Sequence, residues 1–294
     1  MNFVKQKWQA LKNSLLQKAL KAEAKAAGLH RNQVSLSCGE VFYYSKAGQG
    51  RTLILLHGAG ADKNSWCRFA KHLSRHDQVI IPDLPGHGDS VRNLSLSYTI
   101  AQQAHYLREF LTLLNAGPIH IIGHSMGAAV ALRYAHLHPH DVQSLILIDS
   151  AGVEKTPGEI RQEIALSGVN PMLAINNVAD YKKLIRFGMN KPPYIPDFFL
   201  QILAADKISR REIERKVFND IVEDMDQTPI LSTLTQPVLI IWGRLDRIVH
   251  LDDADLLHAL LPVSQKIILD DIGHVPIVEA PQLTARLCLD FLSA

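Results

Sequence analysis

Cysteine, net charge and long apolar runs are all scarce in this 294-residue chain, and each scarcity removes a class of answer. Three cysteines (Cys38, Cys67, Cys288), none in a C-x-x-C pair, are too few and too scattered for a disulfide framework or a metal cluster. They read as reduced thiols of an intracellular protein. A formal net charge of +2 gives no basis for nucleic-acid binding, and no nucleic acid is expected as a partner. No run approaches the roughly 18 consecutive apolar residues of a membrane-spanning helix. Lysines break up the first 30 residues too often for a secretory signal, so a cytoplasmic location is the default expectation. What remains is a chain with 47% hydrophobic and 20% charged residues, enough to bury a sizeable core.

The first residues stand apart from the rest. Val4, Trp8, Leu11, Leu15, Ala19, Ala22 and Ala26 recur at steps of three and four, placing them on one helical stripe, with Gly28 as the stop. Lys5 and Lys12 fall along one edge of the stripe, and Lys7, Lys18, Lys21 and Lys25 along or beyond the other. Lysines flanking an apolar face can lay their stems on it and lift their charges out, as interfacial helices do. Residues 1–33 are therefore assigned to an amphipathic helix. Residues 1–28 either make peripheral contact with a membrane or pack on the protein's own body.

From residue 34 short apolar runs stop at turn formers: 51–56, 78–81, 119–122, 145–148, 238–242 and 266–269. Such near-continuous runs fit strands covered on both faces of a parallel sheet. Helical patterns lie between most of them, at about 66–75, 99–114, 126–137, 251–261 and 281–292. The alternation predicts an α/β fold with a mostly parallel, doubly wound sheet and right-handed crossovers. Functional groups then gather at the carboxyl ends of the strands.

One interval breaks the rhythm. Residues 151–233 contain no convincing strand, but Ile213, Val217, Ile221 and Met225 step by four along an amphipathic helix. This interval reads as a helical cap, or lid, inserted before the penultimate strand, with 34–150 and 234–294 forming the core. Its apolar residues, among them Pro192, Pro193, Tyr194, Phe198 and Phe199, suggest either an acyl chain held beneath it or ordinary packing.

The strongest chemical signal is Gly123-His124-Ser125-Met126-Gly127. A G-x-S-x-G sequence between a strand (PIHII) and a helix (AAVALRYAHLH) makes the sharp turn that exposes a nucleophilic serine. A serine hydroxyl needs a base beside it, and in this architecture the acid and then the base follow later in the chain. Asp246 lies beyond the strand VLIIW, and His274 lies beyond KIIL, in loops at the same sheet edge. His250 is a weaker candidate base because it sits near a helix start. Asp149, at the end of LILID, competes with Asp246 for the acid; Asp246 is favoured because Asp149 leads straight into the turn Ser150-Ala151-Gly152. Two main-chain donors complete the set: the Met126 N–H, and the Ala59 N–H turned inward by His57-Gly58. The segment 83–90 (DLPGHGDS) lacks G-x-G-x-x-G and reads as a structural loop.

The segments HGAGADKNSW, DLPGHGDS, GHSMG, WGRLDRIV and DDIGHVPIVEAP together resemble the α/β-hydrolase superfamily. More narrowly, they resemble bacterial lipases and esterases related to monoacylglycerol lipases. The resemblance runs from about residue 50 to the C-terminus. It implies Ser125 as nucleophile, Asp246 as acid, His274 as base, Ala59 and Met126 as oxyanion donors, a helical cap, and no metal or organic cofactor. The expected activity is hydrolysis of a small apolar carboxylic ester through an acyl-enzyme. A carbon–carbon bond hydrolase, whose acidic substrates would favour a basic cap residue such as Arg186, and an inactive binding protein of the same fold are the alternatives. Haloalkane and epoxide chemistry is disfavoured, since those relatives carry aspartate where Ser125 stands.

Overall fold

The computed structural model describes residues 2–294, with side chains described from Leu11 onward. Its centre is one eight-stranded sheet: β1 (His30–Leu36), β2 (Gly39–Lys46), β3 (Thr52–Leu56), β4 (Gln78–Pro82), β5 (Ile119–His124), β6 (Val142–Ile148), β7 (Val238–Gly243) and β8 (Ser264–Leu269). The spatial order is β1-β2-β4-β3-β5-β6-β7-β8. Strands β3 to β8 pair parallel, while β1 and β2 form an antiparallel hairpin joined antiparallel to β4.

The six strands expected from apolar runs all form, and the β1–β2 hairpin adds two more. β1 begins inside the range assigned to the N-terminal helical segment. Strands β5 and β7 are buried along nearly their whole length, because helices cover both faces. The helices Met126–Leu137 and Pro281–Leu292 match their expected limits. The helix expected at 66–75 is shorter, a 3₁₀ turn at Lys63–Trp66 followed by Cys67–Ala70.

Between β6 and β7 the chain forms five helices and no strand: Glu159–Ser167, Val178–Gly188, Asp197–Ser209, Arg211–Glu223 and Thr228–Leu231. In the fourth, Ile213, Val217 and Ile221 are buried, as their four-residue spacing requires.

The N-terminal helix runs from Asn2 to Ala26. Of its expected stripe, the side chains of Val4 and Trp8 lie outside the described residues, as do those of Lys5 and Lys7. The face that docks is a neighbouring one: Leu16, Ala24 and Ala27 are buried, and Glu23 pairs with Arg68 at 2.8 Å. Leu11 and Leu15 of the stripe stay 49% and 43% exposed, and Ala22 and Ala26 are exposed as well. The rotation has a local cause. Chain continuity into β1 fixes how the last turns meet the body, and there the stripe offers only alanine.

Behind the sheet edge, the loops after β3 and β4 are tied by a buried ion cluster. Lys63 Nζ lies 2.6 Å from Asp83 Oδ2 and 2.8 Å from Asp89 Oδ2, and the Lys63 N–H donates to Asp83 Oδ1 at 2.7 Å. Lys63 and Asp83 are almost wholly removed from water. A charge in that position is stable only with its partner. Lys63→Met, which strands Asp83, is expected to destabilise the fold by about 3–5 kcal/mol, measured as a urea unfolding curve beside wild type.

Candidate active site

Ser125 follows β5 directly and caps the helix Met126–Leu137. Its backbone has φ +54°, a region that L-residues with a side chain rarely adopt. The turn is held by the Ser125 N–H, which donates to the Ile148 carbonyl at 3.0 Å and carries the β5–β6 ladder one residue further. The flanking glycines are required by contact: a Cβ on Gly127 would lie 2.3 Å from the Leu56 carbonyl oxygen, and one on Gly123 would lie 2.5 Å from Ala128 Cα. The two glycines of the G-x-S-x-G motif are thus the positions where the backbones come too close for a side chain.

The other expected residues follow neighbouring strand ends. Ala59 comes after β3, Asp149 after β6, Asp246 after β7 and His274 after β8, so the set spans five adjacent strands of the sheet. His274 Nδ1 and Asp246 Oδ2 are 2.7 Å apart, and the Asp246 side chain is fully buried. The second Asp246 oxygen accepts from the N–H groups of Ile248 (2.7 Å) and Val249 (3.1 Å), which fixes the carboxylate in its loop. His250 is half-exposed and turned to Asp252, away from this pair. Ser125, Met126 and Ala59 line a common cavity of about 430 Å³. Among the described residues, the Ser125 hydroxyl forms no hydrogen bond. Its link to His274 is one of placement: its neighbour His124 packs on the His274 ring, with centroids 4.9 Å apart.

The geometry also gives roles to side chains for which the sequence reading had none. His57 is fully buried. Its Nε2 accepts from the Leu84 N–H at 3.0 Å, so the ring proton sits on Nδ1, which donates to the Gly58 carbonyl at 2.9 Å. A trans peptide points its N–H opposite its C=O. Holding the Gly58 oxygen back against His57 therefore turns the Ala59 N–H the other way. The loop 83–90, read as structural, is the other side of this clamp.

His274 is gripped along its main chain. Its N–H donates to the Gly188 carbonyl (2.8 Å), and its carbonyl accepts from His124 Nε2 (2.7 Å). The Glu279 carboxylate accepts from the N–H groups of Gly273, Val275 and Lys191. No short motif announces Glu279 or Gly188; only the folded loop gives them a role.

The cavity wall is mostly apolar, with Ile160, Ile164, Phe218, Ile221, Val222 and Met225 from the helical insertion, and Glu154, Arg161, Asp226 and Asp253 add charged groups to it. Pro192, Pro193, Tyr194, Phe198 and Phe199 do not line it, and Tyr194 is 89% exposed. The four-step pattern on the fourth insertion helix was the better pointer, since Ile221 and Met225 belong to it.

A family model for the alpha/beta hydrolase fold matches residues 51–210. The chain belongs to the α/β-hydrolase family. This α/β hydrolase is 34% identical over 281 residues to "Lipase 1" of Psychrobacter immobilis, covering 94% of this chain and 88% of that protein. It is 29% identical over 267 residues to human "Monoacylglycerol lipase ABHD6", covering 86% and 79%. Among solved structures, the crystal structure of a membrane phospholipase A superposes with a TM-score of 0.93 at 31% identity, covering 96% of this chain and 92% of that one. The resemblance to lipases read from the motifs is thus borne out.

Burial, and then the nearby His274, push the His124 imidazole down to a pKa of about 3, against 6.5 when free. The folded protein refuses a proton that the unfolded chain accepts, so the contribution of His124 is whole above pH 6.5 and is lost as pH falls below it. Between pH 6.5 and 5 the loss is about 2 kcal/mol. His124→Gln keeps an N–H donor and escapes this loss. Urea unfolding of the two proteins should therefore show a stability gap that narrows by about that amount on going from pH 7 to pH 5.

Proposed function

We propose that this chain is a serine carboxylic ester hydrolase of the lipase and monoacylglycerol lipase kind. The observation that carries the reading is the Asp246–His274 hydrogen bond, set at the same sheet edge as a serine whose backbone is strained and which lines a mostly apolar cavity.

In this reading Asp246 accepts the Nδ1 proton of His274 and leaves Nε2 as the base. Ser125 Oγ attacks the ester carbonyl carbon as its proton passes to His274 Nε2. The Ala59 and Met126 N–H groups stabilise the oxygen that becomes negative; Met126 is the first residue of its helix, where N–H groups lack intrahelical partners. The tetrahedral intermediate collapses, His274 protonates the departing alcohol, and an acyl-enzyme remains. Water then gives a proton to His274 and attacks the acyl carbon; the second tetrahedral intermediate expels Ser125 Oγ, which takes that proton back from His274 as the acid leaves. Every proton and electron pair is supplied by the chain, the ester and water, so the cycle calls for no cofactor.

The insertion acts as the lid of this site, and its Ile160, Ile221 and Met225 suit an acyl chain. Arg186, the basic residue a carbon–carbon hydrolase would favour, is exposed and lies outside the cavity lining, and Arg161, the basic insertion residue that does line it, is paired with Glu154 at 3.1 Å; both weigh against that alternative. Among the described residues, no helix is long and apolar enough to cross a membrane. The outward Leu11 and Leu15, with lysines at their flanks, suit peripheral contact with a lipid surface through the N-terminal helix.

Ser125→Ala should abolish both labelling by a fluorophosphonate probe and hydrolysis of nitrophenyl esters; an unlabelled wild type, beside an esterase that labels, would leave a binding protein as the better reading. Asp246→Asn should lower kcat by about ten-thousand-fold with the fold unchanged. For the lipid contact, Leu11→Glu with Leu15→Glu keeps the docking face of Leu16, Ala24 and Ala27. This double variant should bind anionic liposomes several-fold more weakly in a sedimentation assay, and should hydrolyse soluble esters at the wild-type rate.

A further inference from the structure

Asp149 was weighed above as a rival to Asp246, yet both carboxyl groups meet in the folded protein. A carboxylate oxygen of each and a ring nitrogen of His274 lie within 4.8 Å of one another. Asp149 is completely buried, and its backbone has φ +43°, so its carboxyl is delivered by a conformation that a side-chain-bearing residue rarely takes. Oδ1 has a clear partner, the Gly243 N–H at 2.8 Å. Oδ2 is buried with none.

Two ionised carboxylates cannot satisfy each other, because neither has a proton to donate. Asp246 already uses one oxygen on the Ile248 and Val249 N–H groups and the other on His274. Its role requires the negative charge. The unpartnered oxygen therefore belongs to the group that can give the charge up. We propose that Asp149 is a positioning residue: it carries a proton on Oδ2, donates it to Asp246, and so fixes the carboxylate that orients His274.

The surroundings agree. Burial first, and then the charge of Asp246, push the Asp149 carboxyl well above the usual carboxylate range; Glu279 adds in the same direction and the Gly243 N–H opposes. The ionisable groups that face the cluster are thus Asp246, Glu279 and His274. The proposal rests on the Ser125–His274–Asp246 reading and refines it, by making the acid of that set a pair of carboxyl groups that holds one charge.

Asparagine separates the possibilities, because its amide reproduces a protonated aspartate here: Oδ1 accepts from Gly243, and Nδ2–H donates to Asp246. Asparagine also tolerates positive φ. Asp149→Asn is expected to keep kcat within about threefold of wild type, while Asp149→Ala loses about 10- to 100-fold in kcat with KM little changed. Asp149→Gly, which accepts φ +43° without strain, should lose as much as the alanine variant and covers the case in which alanine fails to fold. The acidic limb of kcat/KM is a second readout. A charged Asp149 so near His274 would hold its imidazolium, and the Asn variant would then shift that limb down by about one unit or more. The proposal expects no shift. Loss of activity in Asp149→Asn comparable to that of Asp246→Asn, a downward shift of the limb, or full activity in the glycine variant would each overturn it. Parallel assays of Ser125→Ala and Asp246→Asn keep the two readings distinguishable, since unchanged turnover in those variants sinks the triad itself and not only the role of Asp149.

Discussion

The parallel pairing of β3, β5, β6, β7 and β8 is the constraint on which everything else rests. Five neighbouring strands that run the same way must release their next residues at one edge, a few ångströms apart, although those residues are separated by up to 215 positions between Ala59 and His274. Parallel strands demand crossovers, the crossovers cover both faces, and covered faces explain why the strands read as continuous apolar runs. The same burial removes water from behind the edge. Polar groups there must then find partners inside the protein.

That requirement explains much of the architecture around the site. His57 and His124 are neutral, buried imidazoles, and each spends its N–H on a main-chain carbonyl: Gly58 for one, His274 for the other. Lys63 with Asp83 and Asp89, and Glu279 with three N–H groups, serve in the same way as internal solvent for the loops. These contacts decide which way a peptide faces, and in the Gly58–Ala59 unit they hold the Gly58 carbonyl against His57. Strain at Ser125 and Asp149 is tolerated because strand ladders on either side fix both residues; the Ser125 and Asp149 N–H groups continue those ladders to Ile148 and Ile241.

Most of this was legible where a local rule has one outcome. The runs that became β3 to β8 are apolar throughout, and the helix after Ser125 starts where its motif says. The β1–β2 hairpin was not read because an edge hairpin with one wet face alternates weakly: QVSL and GEVFYYSK mix polar and apolar residues without a continuous run. The N-terminal stripe was real as a pattern, but periodicity ranks faces by hydrophobicity. It carries no information about the rotation that a fixed exit into β1 imposes. Proximity between Asp149 and Asp246 could not be read at all. Each lies just beyond an apolar strand, and only the β6–β7 register brings the two loops side by side. Likewise composition left the aromatic-rich segment at 192–199 open between lining an acyl site and ordinary packing, and the cavity is lined instead by other residues of the insertion.

The bond from the His274 N–H to the Gly188 carbonyl crosses from the core to the insertion, and so do the contacts of Lys191 with Glu279 and of Asn190 with the Asp271 carbonyl. The insertion and the loop bearing the imidazole are therefore tied together through the same few residues. Any displacement of the helix Val178–Gly188 would pull on the imidazole's own mooring. The insertion that lines the cavity is thus also a brace for the imidazole beside it.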